Sequence, residues 1–341
     1  MRAFSNALNA SKTSSNHQAI LTEGNLNRHL WQMSWPMVVG IMAIITVYLV
    51  DSFFIAQLGS ENLAAIGFAM PVINFLTAMA FGIGSGTSAK LAIAVGSGRI
   101  LQVKSLIISG LFLALGSAII FAIIGFFISY PFFDLIIDNK TSLKYLIDYL
   151  EIWYLGCFLV VVPMVANSAM RALGDTKTPS LIMLSVALTN LILDPILIFG
   201  LLGLPKMGIK GAALATIIAY GFSFSLTIYI LLKKHQIWQN FKQCLSLQKK
   251  SILQILSIAL PATLNNLVAP LSVSITTILI ANYGTFSVAA YGVASRLEAF
   301  LLINYMALAS VMGPIIGQNY AAKKFAMFKL AINNSFIFST I

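Results

Sequence analysis

Charged residues are scarce in this 341-residue sequence: they make up 9% of it, against about 25% in soluble domains. Apolar residues make up 59%, and the mean hydropathy is +0.90. Soluble folds do not join successive charge-free stretches of about 20 apolar residues, each long enough to cross a bilayer. The scarcity of charge therefore excludes a soluble protein and predicts a polytopic membrane protein.

Cysteine is scarce too, and the motifs of several enzyme classes are missing. The two cysteines, Cys157 in an apolar run and Cys244 in a basic loop, predict no disulfide framework. The sequence lacks HExxH, GxSxG and Walker patterns and any Cys/His cluster, so we expect neither an enzyme, nor an ATP-driven pump, nor a bound cofactor. GIGSG at 82–86 lies inside an apolar run and follows no strand, which predicts close helix packing or a bend.

Nine apolar runs separated by polar breaks predict nine membrane-spanning helices and an all-α fold. The runs are 30–57, 63–91, 103–130, 146–170, 178–201, 210–232, 252–281, 287–318 and 323–341. Residues 1–29 are rich in Ser and Asn and have no apolar core, which predicts a polar tail rather than a cleaved signal peptide. Residues 233–250 form a basic linker between the sixth and seventh runs.

Lysine and arginine are distributed unevenly between the two sides of this predicted topology. Fifteen lie in the tail and in the loops on its side, whereas four lie on the other side, namely Lys140, Lys144, Lys206 and Lys210. Because loops rich in basic residues stay in the cytoplasm, we expect the N-terminus there and a multi-pass protein of the inner membrane. The net charge of +11 is thus explained by topology and does not indicate binding to nucleic acid.

Two predicted spans carry a carboxylate deep in apolar surroundings. Asp51 follows Pro36 by 15 residues, and Asp194 follows Pro179 by the same number. At about 1.5 Å per residue, each carboxylate lies about 22 Å beyond its proline. Both spans run in the same direction, so we expect the two acids at one level, in the half of the membrane far from the N-terminus. A carboxylate at such depth costs about 3 kcal/mol on insertion scales, which makes both residues functional candidates.

Polar groups surround the second of these acids. Asn190 stands one helical turn before Asp194 and shares its face of the helix. Pro195 has no N–H for the carbonyl of Leu191, which leaves an acceptor nearby. With Asp51, these groups predict a pocket for a proton, a sodium ion or a cationic substrate. The alternative is that each acid pairs with a polar neighbour only to compensate for its burial.

The sequence also repeats itself. A shift of 225 residues superposes Pro36 on Pro261, and LAAIGFA at 63–69 on VAAYGVA at 288–294. A repeat of six spans returns the chain to the same side of the membrane, so the copies are parallel. We therefore expect an N-lobe of six spans at 30–232 and an incomplete C-lobe of three spans at 251–341.

Several motifs together resemble the multidrug and toxic compound extrusion (MATE) family, in particular its DinF-like branch. They are QLGSENLAAIGFAMP at 57–71, NSAMRALGDTKTP at 167–179, NLILDP at 190–195, GIKGAALAT at 208–216 and ASRLEAF at 294–300. The resemblance runs from about residue 30 to the end of the sequence. It implies a secondary antiporter with two six-helix lobes, which opens alternately to each side and exports organic cations in exchange for H⁺ or Na⁺.

The resemblance also assigns roles to individual residues. It implies that Asp51, Asn190 and Asp194 form the site for the coupling proton or cation, which could be Na⁺, and that the first helix bends at Pro36. The resemblance also places Tyr149 and Asn167 at positions that the family associates with the substrate cavity. Ala269 stands where the NorM-like branch has a glutamate, so the resemblance implies no cation site of that kind in the C-lobe.

Two other functions stay open at this point. A flippase for lipid-linked saccharide precursors shares the fold, although it would favour a cavity rich in Arg and Lys, which the first six spans lack apart from Lys90. A truncated remnant without transport is the other alternative, since the repeat predicts three further spans. We expect the protein to interact with a small organic cation and with the lipid bilayer. We expect no obligate protein partner.

Overall fold

The computed structural model describes residues 19–233, 244, 246–281 and 301–340, together with isolated positions between 283 and 300. The described residues contain a short 3₁₀ helix, Ile20–Thr22, and nine α-helices. These are α1 (Leu26–Ala56), α2 (Ser60–Gly96), α3 (Ile100–Asp134), α4 (Lys140–Ala172), α5 (Lys177–Phe199), α6 (Ile209–Lys233), α7 (Gln248–Ala281), α8 (Ile303–Ala321) and α9 (Phe325–Thr340).

Seven of the described helices, α1 to α7, are long and apolar enough to cross a membrane. This confirms the predicted all-α polytopic fold. The last two described helices are shorter, with 19 residues in α8 and 16 in α9. The predicted span 287–318 overlaps α8, but its positions 288–290, 292, 293, 296 and 299 lie outside the described residues, as do 1–18 of the tail and 234–243 and 245 of the linker.

Polar residues and glycines set the ends of the helices. The side chain of Asn139 accepts hydrogen bonds from the backbone N–H groups of Thr141 and Ser142, so it caps the start of α4. At the end of α5, Gly200 adopts φ +75°, and a Cβ on it would lie 2.6 Å from the backbone nitrogen of Lys206. Glycine is therefore the residue that fits this turn.

The central helix of the first six is α4. It packs against α2, α3 and α6, and most of its side chains are buried in one large apolar cluster. On the other side of the molecule, α1 packs against α5, and α5 against α6. The five helices α1, α2, α4, α5 and α6 consequently surround a space that opens between the α1–α5 pair and the α2–α4 pair.

The C-lobe helices α7 and α8 both pack on α2. A Cβ on Gly82 would lie 1.9 Å from the hydroxyl of Thr263, and one on Gly86 would lie 2.6 Å from the carbonyl oxygen of Ile255. The structure thus confirms that the glycines of 82–86 serve close helix packing. These contacts lie in the second half of α2, on the membrane side where α1 begins, which we call the N-terminal side.

Candidate functional site

A cleft between α1, α2, α4, α5 and α6 contains the first candidate residue, Asp51. It encloses about 620 Å³ of empty space, part of which is open to the outside. Its walls are mainly apolar and aromatic. The lining residues are Ile44, Val47, Tyr48, Asp51, Ser52, Ile66, Met70, Ile73, Tyr149, Trp153, Val186, Asn190, Thr216 and Tyr220.

The two aspartates meet at this cleft. Asp51 lines it, with one carboxylate oxygen buried, and Asp194 lies behind the wall with 0% of its surface exposed. Asn190, one turn before Asp194 on α5, lines the same cleft as Asp51. Neither the buried oxygen of Asp51 nor either oxygen of Asp194 has a hydrogen-bond partner among the described residues. The structure therefore brings together the acids that the sequence placed at one level.

Asn190 lies on the same face of α5 as Asp194, and its side chain is hydrogen-bonded to the neighbouring helix α6. It is 1% exposed, and its side-chain N–H group donates a hydrogen bond to the hydroxyl of Thr216 on α6, at 3.2 Å. The amide oxygen has no partner among the described residues. Thr216 thus fixes which end of the amide is free, and it leaves an acceptor beside the carboxylates.

The close approach of α5 and α6 explains how Thr216 reaches Asn190. A Cβ on Gly211 would lie 2.5 Å from the carbonyl oxygen of Leu197, so glycine lets the two helices touch. Next to this contact, the N–H of Met207 donates to the same carbonyl at 3.1 Å. The role of Thr216 is not visible in the sequence, because its partner is 26 residues away. The motif GIKGAALAT, which contains Thr216, is the signal that points to it.

Aromatic side chains line the cleft around Asp51. Tyr149 and Trp153 are one turn apart on α4, with ring centroids separated by 6.4 Å, and both are at most 5% exposed. Tyr48 and Tyr220 face each other from α1 and α6, close enough for their hydroxyls to interact. The indole N–H of Trp153 has no acceptor within the described part of the chain. These walls can stack against a planar ring and donate a hydrogen bond to it.

Asn167 and Pro36 lie away from the cleft. Asn167 follows Tyr149 on α4 by 18 residues, about 27 Å along the axis, and it is buried near the N-terminal side. Pro36 lies in the first half of α1, which is helical on both sides of it. The hydroxyl of Ser180 on α5 donates to the carbonyl of Pro36, and Gly40 packs against the same serine. Neither residue is among those that line the cleft.

The side-chain groups of Asp51, Asn190 and Asp194 that are free to bind a ligand are oxygen atoms. Asp51, Asn190 and Asp194 together present four side-chain oxygens that lack partners among the described residues. Carboxylate and amide oxygens suit a proton or a hard cation rather than a transition metal. In the part of the chain that the structure describes, no group of three or more His, Cys, Asp or Glu side chains is placed to hold a metal ion.

Comparison with known proteins identifies the fold and its relatives. The MatE family model matches residues 36–196 and 261–341. The chain is 38% identical over 302 residues to the FAD transporter of Shewanella oneidensis, an alignment covering 89% of this chain and 67% of that protein. It is 28% identical over 313 residues to the multidrug export protein MepA of Staphylococcus haemolyticus, with the same coverage of 89% and 67%.

A solved structure agrees with these matches. The crystal structure of an aspartate-to-asparagine mutant of the Vibrio cholerae MATE transporter VcmN superposes with a TM-score of 0.84 at 30% identity, covering 95% of this chain and 70% of that chain. The chain spans about two thirds of the length of its curated relatives. The sequence match, the relatives and the superposed helices agree, and this chain therefore belongs to the MatE family of multi-pass membrane transporters.

Proposed function

We propose that the protein is a secondary antiporter that exports a small organic cation in exchange for H⁺ or Na⁺. The observation that carries this proposal is a pair of carboxylates, Asp194, which is fully buried, and Asp51, which has one buried oxygen; these three buried oxygens lack partners among the described residues. Asn190 completes the site with its free amide oxygen. The efflux transporters among the relatives support the same activity.

The physical argument concerns the charge of the empty site. Two carboxylates close together in apolar surroundings repel each other, and each loses the hydration that stabilises its charge. A proton or Na⁺ bound at Asp51 and Asp194 removes part of this cost, and so does a cationic substrate in contact with Asp51. Because both ligands relieve the same charge, they compete, and competition for one site is the basis of exchange.

The proposed orientation follows from the distribution of basic residues. We take the protein to lie in the inner membrane with its N-terminus in the cytoplasm. The cleft then lies in the outer half of the membrane. The described contacts of α2 with α7 and α8 close the cytoplasmic half. Ions from outside would then reach Asp51 while the substrate leaves.

Ethidium efflux from cells that express the chain tests this proposal. We expect Asp51→Asn and Asp194→Asn to reduce efflux to the level of cells without the protein, since neither variant can exchange a charge. Asp138→Asn, which alters an exposed acid in a loop, is the matched control and should leave efflux unchanged. Efflux in both site variants equal to that of the control would contradict the assignment of the site, and absence of efflux in all of them would favour a chain without transport activity.

FAD is a second candidate substrate, because the relative with 38% identity is an FAD transporter. The aromatic walls of Tyr149, Trp153 and Tyr220 would suit the flat flavin ring. Among the described residues that line the cleft, however, none is basic, and the pyrophosphate of FAD or of a lipid-linked precursor would need a counter-charge. For this reason an organic cation remains our first choice over FAD and over the substrate of a flippase.

Quenching of tryptophan fluorescence distinguishes the candidates, because Trp153 lines the cleft. For a cation exporter, ethidium should quench the purified protein but not the Trp153→Phe variant, and FAD should quench both equally weakly through nonspecific absorption. Quenching by FAD that depends on Trp153 and is displaced by unlabelled riboflavin phosphate would instead assign a flavin substrate.

A further inference from the structure

Residues 19–25, which precede α1, lie across the N-terminal side of the molecule; we call them the strap. The strap contains the 3₁₀ helix Ile20–Thr22, and the side chain of Leu21 is only 2% exposed. Its backbone groups bond to α8 and to the residues just after it, which come about 300 positions later in the sequence. Such a contact is part of the packed structure rather than of a free tail.

Two adjacent amide side chains of α8, both 0% exposed, hold the strap. The side-chain oxygen of Gln318 accepts from the N–H of Leu21 at 3.3 Å, and the amide N–H group of Asn319 donates to the carbonyl of Leu21 at 3.0 Å. Just beyond the helix, the ammonium of Lys324 donates to the carbonyl of Thr22 at 2.8 Å. Three backbone groups of the strap are thereby satisfied by the C-lobe.

Gln318 also bonds to the N-lobe. Its amide N–H group donates to the carbonyl of Ala172, the last residue of α4, at 2.8 Å. The end of α2 packs against the same turn of α8, since a Cβ on Gly96 would lie 2.3 Å from the carbonyl oxygen of Gln318. One buried side chain therefore connects α8, the end of α4 and the strap, at the place where the lobes meet.

The two halves of α1 contribute to two different apolar clusters. Its first half contributes Leu26, Leu30, Met33 and Met37 to an apolar cluster with Leu21 and the buried face of α8. Its second half contributes Ile55 to the large cluster of the N-lobe. Met37, the last α1 residue of the first cluster, directly follows Pro36. The strap and the first half of α1 are thus packed with the C-lobe, although they precede the N-lobe in sequence.

We infer that the strap is the latch that keeps the lobes closed on the N-terminal side, with Gln318 as its central residue. The hydrogen bond of Gln318 to Ala172 exists only while the ends of α4 and α8 are in contact, and the bonds of the strap to Gln318, Asn319 and Lys324 hold the strap at this contact. Opening on the N-terminal side must break the bond to Ala172, while the strap and the first half of α1 move with α8. This inference rests on the proposed alternation of access, and it does not depend on which ion or substrate is used.

Cysteine accessibility from each side of the membrane tests the latch. The two native cysteines, which are buried, are first replaced by serine. Ala259→Cys on α7 reports on the N-terminal side, since Ala259 is 2% exposed and lies against Gly86. Ser52→Cys, in the wall of the cleft, reports on the opposite side. Each reporter is labelled with an impermeant maleimide in vesicles that expose the corresponding side.

Gln318→Leu and Lys324→Met weaken the latch in two separate places. Gln318→Leu removes two hydrogen bonds and Lys324→Met removes one. We expect labelling of Ala259→Cys to become about tenfold faster in Gln318→Leu and faster by a smaller factor in Lys324→Met, and labelling of Ser52→Cys to become slower in both, because the lost bonds shift the balance between the two states. Gln57→Leu, which alters an exposed amide at the far end of α1, should change neither rate.

The reciprocal readout separates a latch from general destabilisation. A variant that only loosens the fold would label faster at both reporters, and that result, or unchanged rates in both latch variants, would overturn the inference. If Gln318→Leu fails to elute as a single species in size-exclusion chromatography, the exposed Lys324 gives the deciding comparison. If efflux persists in the aspartate variants while the latch variants change both labelling rates as expected, the assignment of the ion site has failed. If efflux is lost in the aspartate variants while the latch variants leave both rates unchanged, the latch has failed.

Discussion

The proposed ion site depends first on the environment of a single residue, Asp194. Its side chain is 0% exposed, and its oxygens lack hydrogen-bond partners among the described residues. The simpler alternative from the sequence, a polar partner for each buried acid, would have predicted such a bond. Asn190 does not supply it, because its N–H group is engaged with Thr216. The carboxylate is therefore placed for a ligand from outside the chain.

Stabilisation by the coupling ion is the prediction at this scale. A ligand that binds the folded state raises its stability in proportion to the logarithm of its concentration. We expect Na⁺ or added acid to raise the thermal unfolding midpoint of the purified protein by several degrees, and we expect Asp194→Asn to abolish the effect. Testing the two ions separately identifies the coupling ion.

The control for this measurement is again Asp138→Asn, which keeps the buried pair. Its midpoint should respond to the ion as the unaltered protein does. A response that survives in Asp194→Asn would show that the ion binds elsewhere, and the proposed site would then be wrong.

At the scale of helices, the sequence predicted most of the architecture because apolar runs and polar breaks are local features. The predicted span 146–170 is longer in the structure, where α4 covers Lys140–Ala172. Its first polar turn belongs to the helix because Asn139 caps it. Asp51 and Asp194 could be found for the same reason: a charge inside an apolar run is visible without a structure.

Contacts between distant residues could not be found in this way. Thr216 and Gln318 act through partners 26 and 297 residues away, and neither lies in a periodic pattern that reveals its partner. The packing of the first half of α1 with α8 likewise depends on apolar residues that resemble those facing lipid. Their roles follow from which helices touch, and that is decided by the whole fold.

The glycines of α2 give a prediction at the scale of helices. A Cβ at Gly86 would lie 2.6 Å from a backbone oxygen of α7, which a side-chain rotation cannot relieve. We expect Gly86→Ala to lower the free energy of unfolding by about 1–3 kcal/mol, as overpacking does elsewhere. Thermal unfolding in detergent measures the change.

Gly116 provides the matched control, since it is a helical glycine of α3 with no atom within 4 Å of the Cβ position. Gly116→Ala should leave stability unchanged or raise it by up to about 1 kcal/mol, because alanine favours the helix. Equal losses in both variants would mean that the contact between α2 and α7 does not depend on the missing side chain.

For the whole molecule, the orientation in the membrane is the property that the structure leaves to experiment. The turn around Leu202, 86% exposed, and the turn around Lys323 lie on opposite sides. With the N-terminus in the cytoplasm, an impermeant maleimide added to whole cells should label Leu202→Cys and not Lys323→Cys. Disrupted cells, in which both positions react, serve as the control, and the reverse pattern in whole cells would invert the topology.

The division of α1 between two clusters has one more consequence. The helix is 31 residues long, it is fixed to α8 at its beginning, and it carries Asp51 near its end. Between these points, at Pro36 and Gly40, it rests on Ser180 of α5. Under the proposed mechanism, we therefore expect a movement of α8 at one membrane face to be transmitted along α1 and to shift the carboxylate of Asp51 near the other face. Coupling of this kind is reciprocal, so a substitution in α8 that never touches the ion should still change how tightly the ion is held.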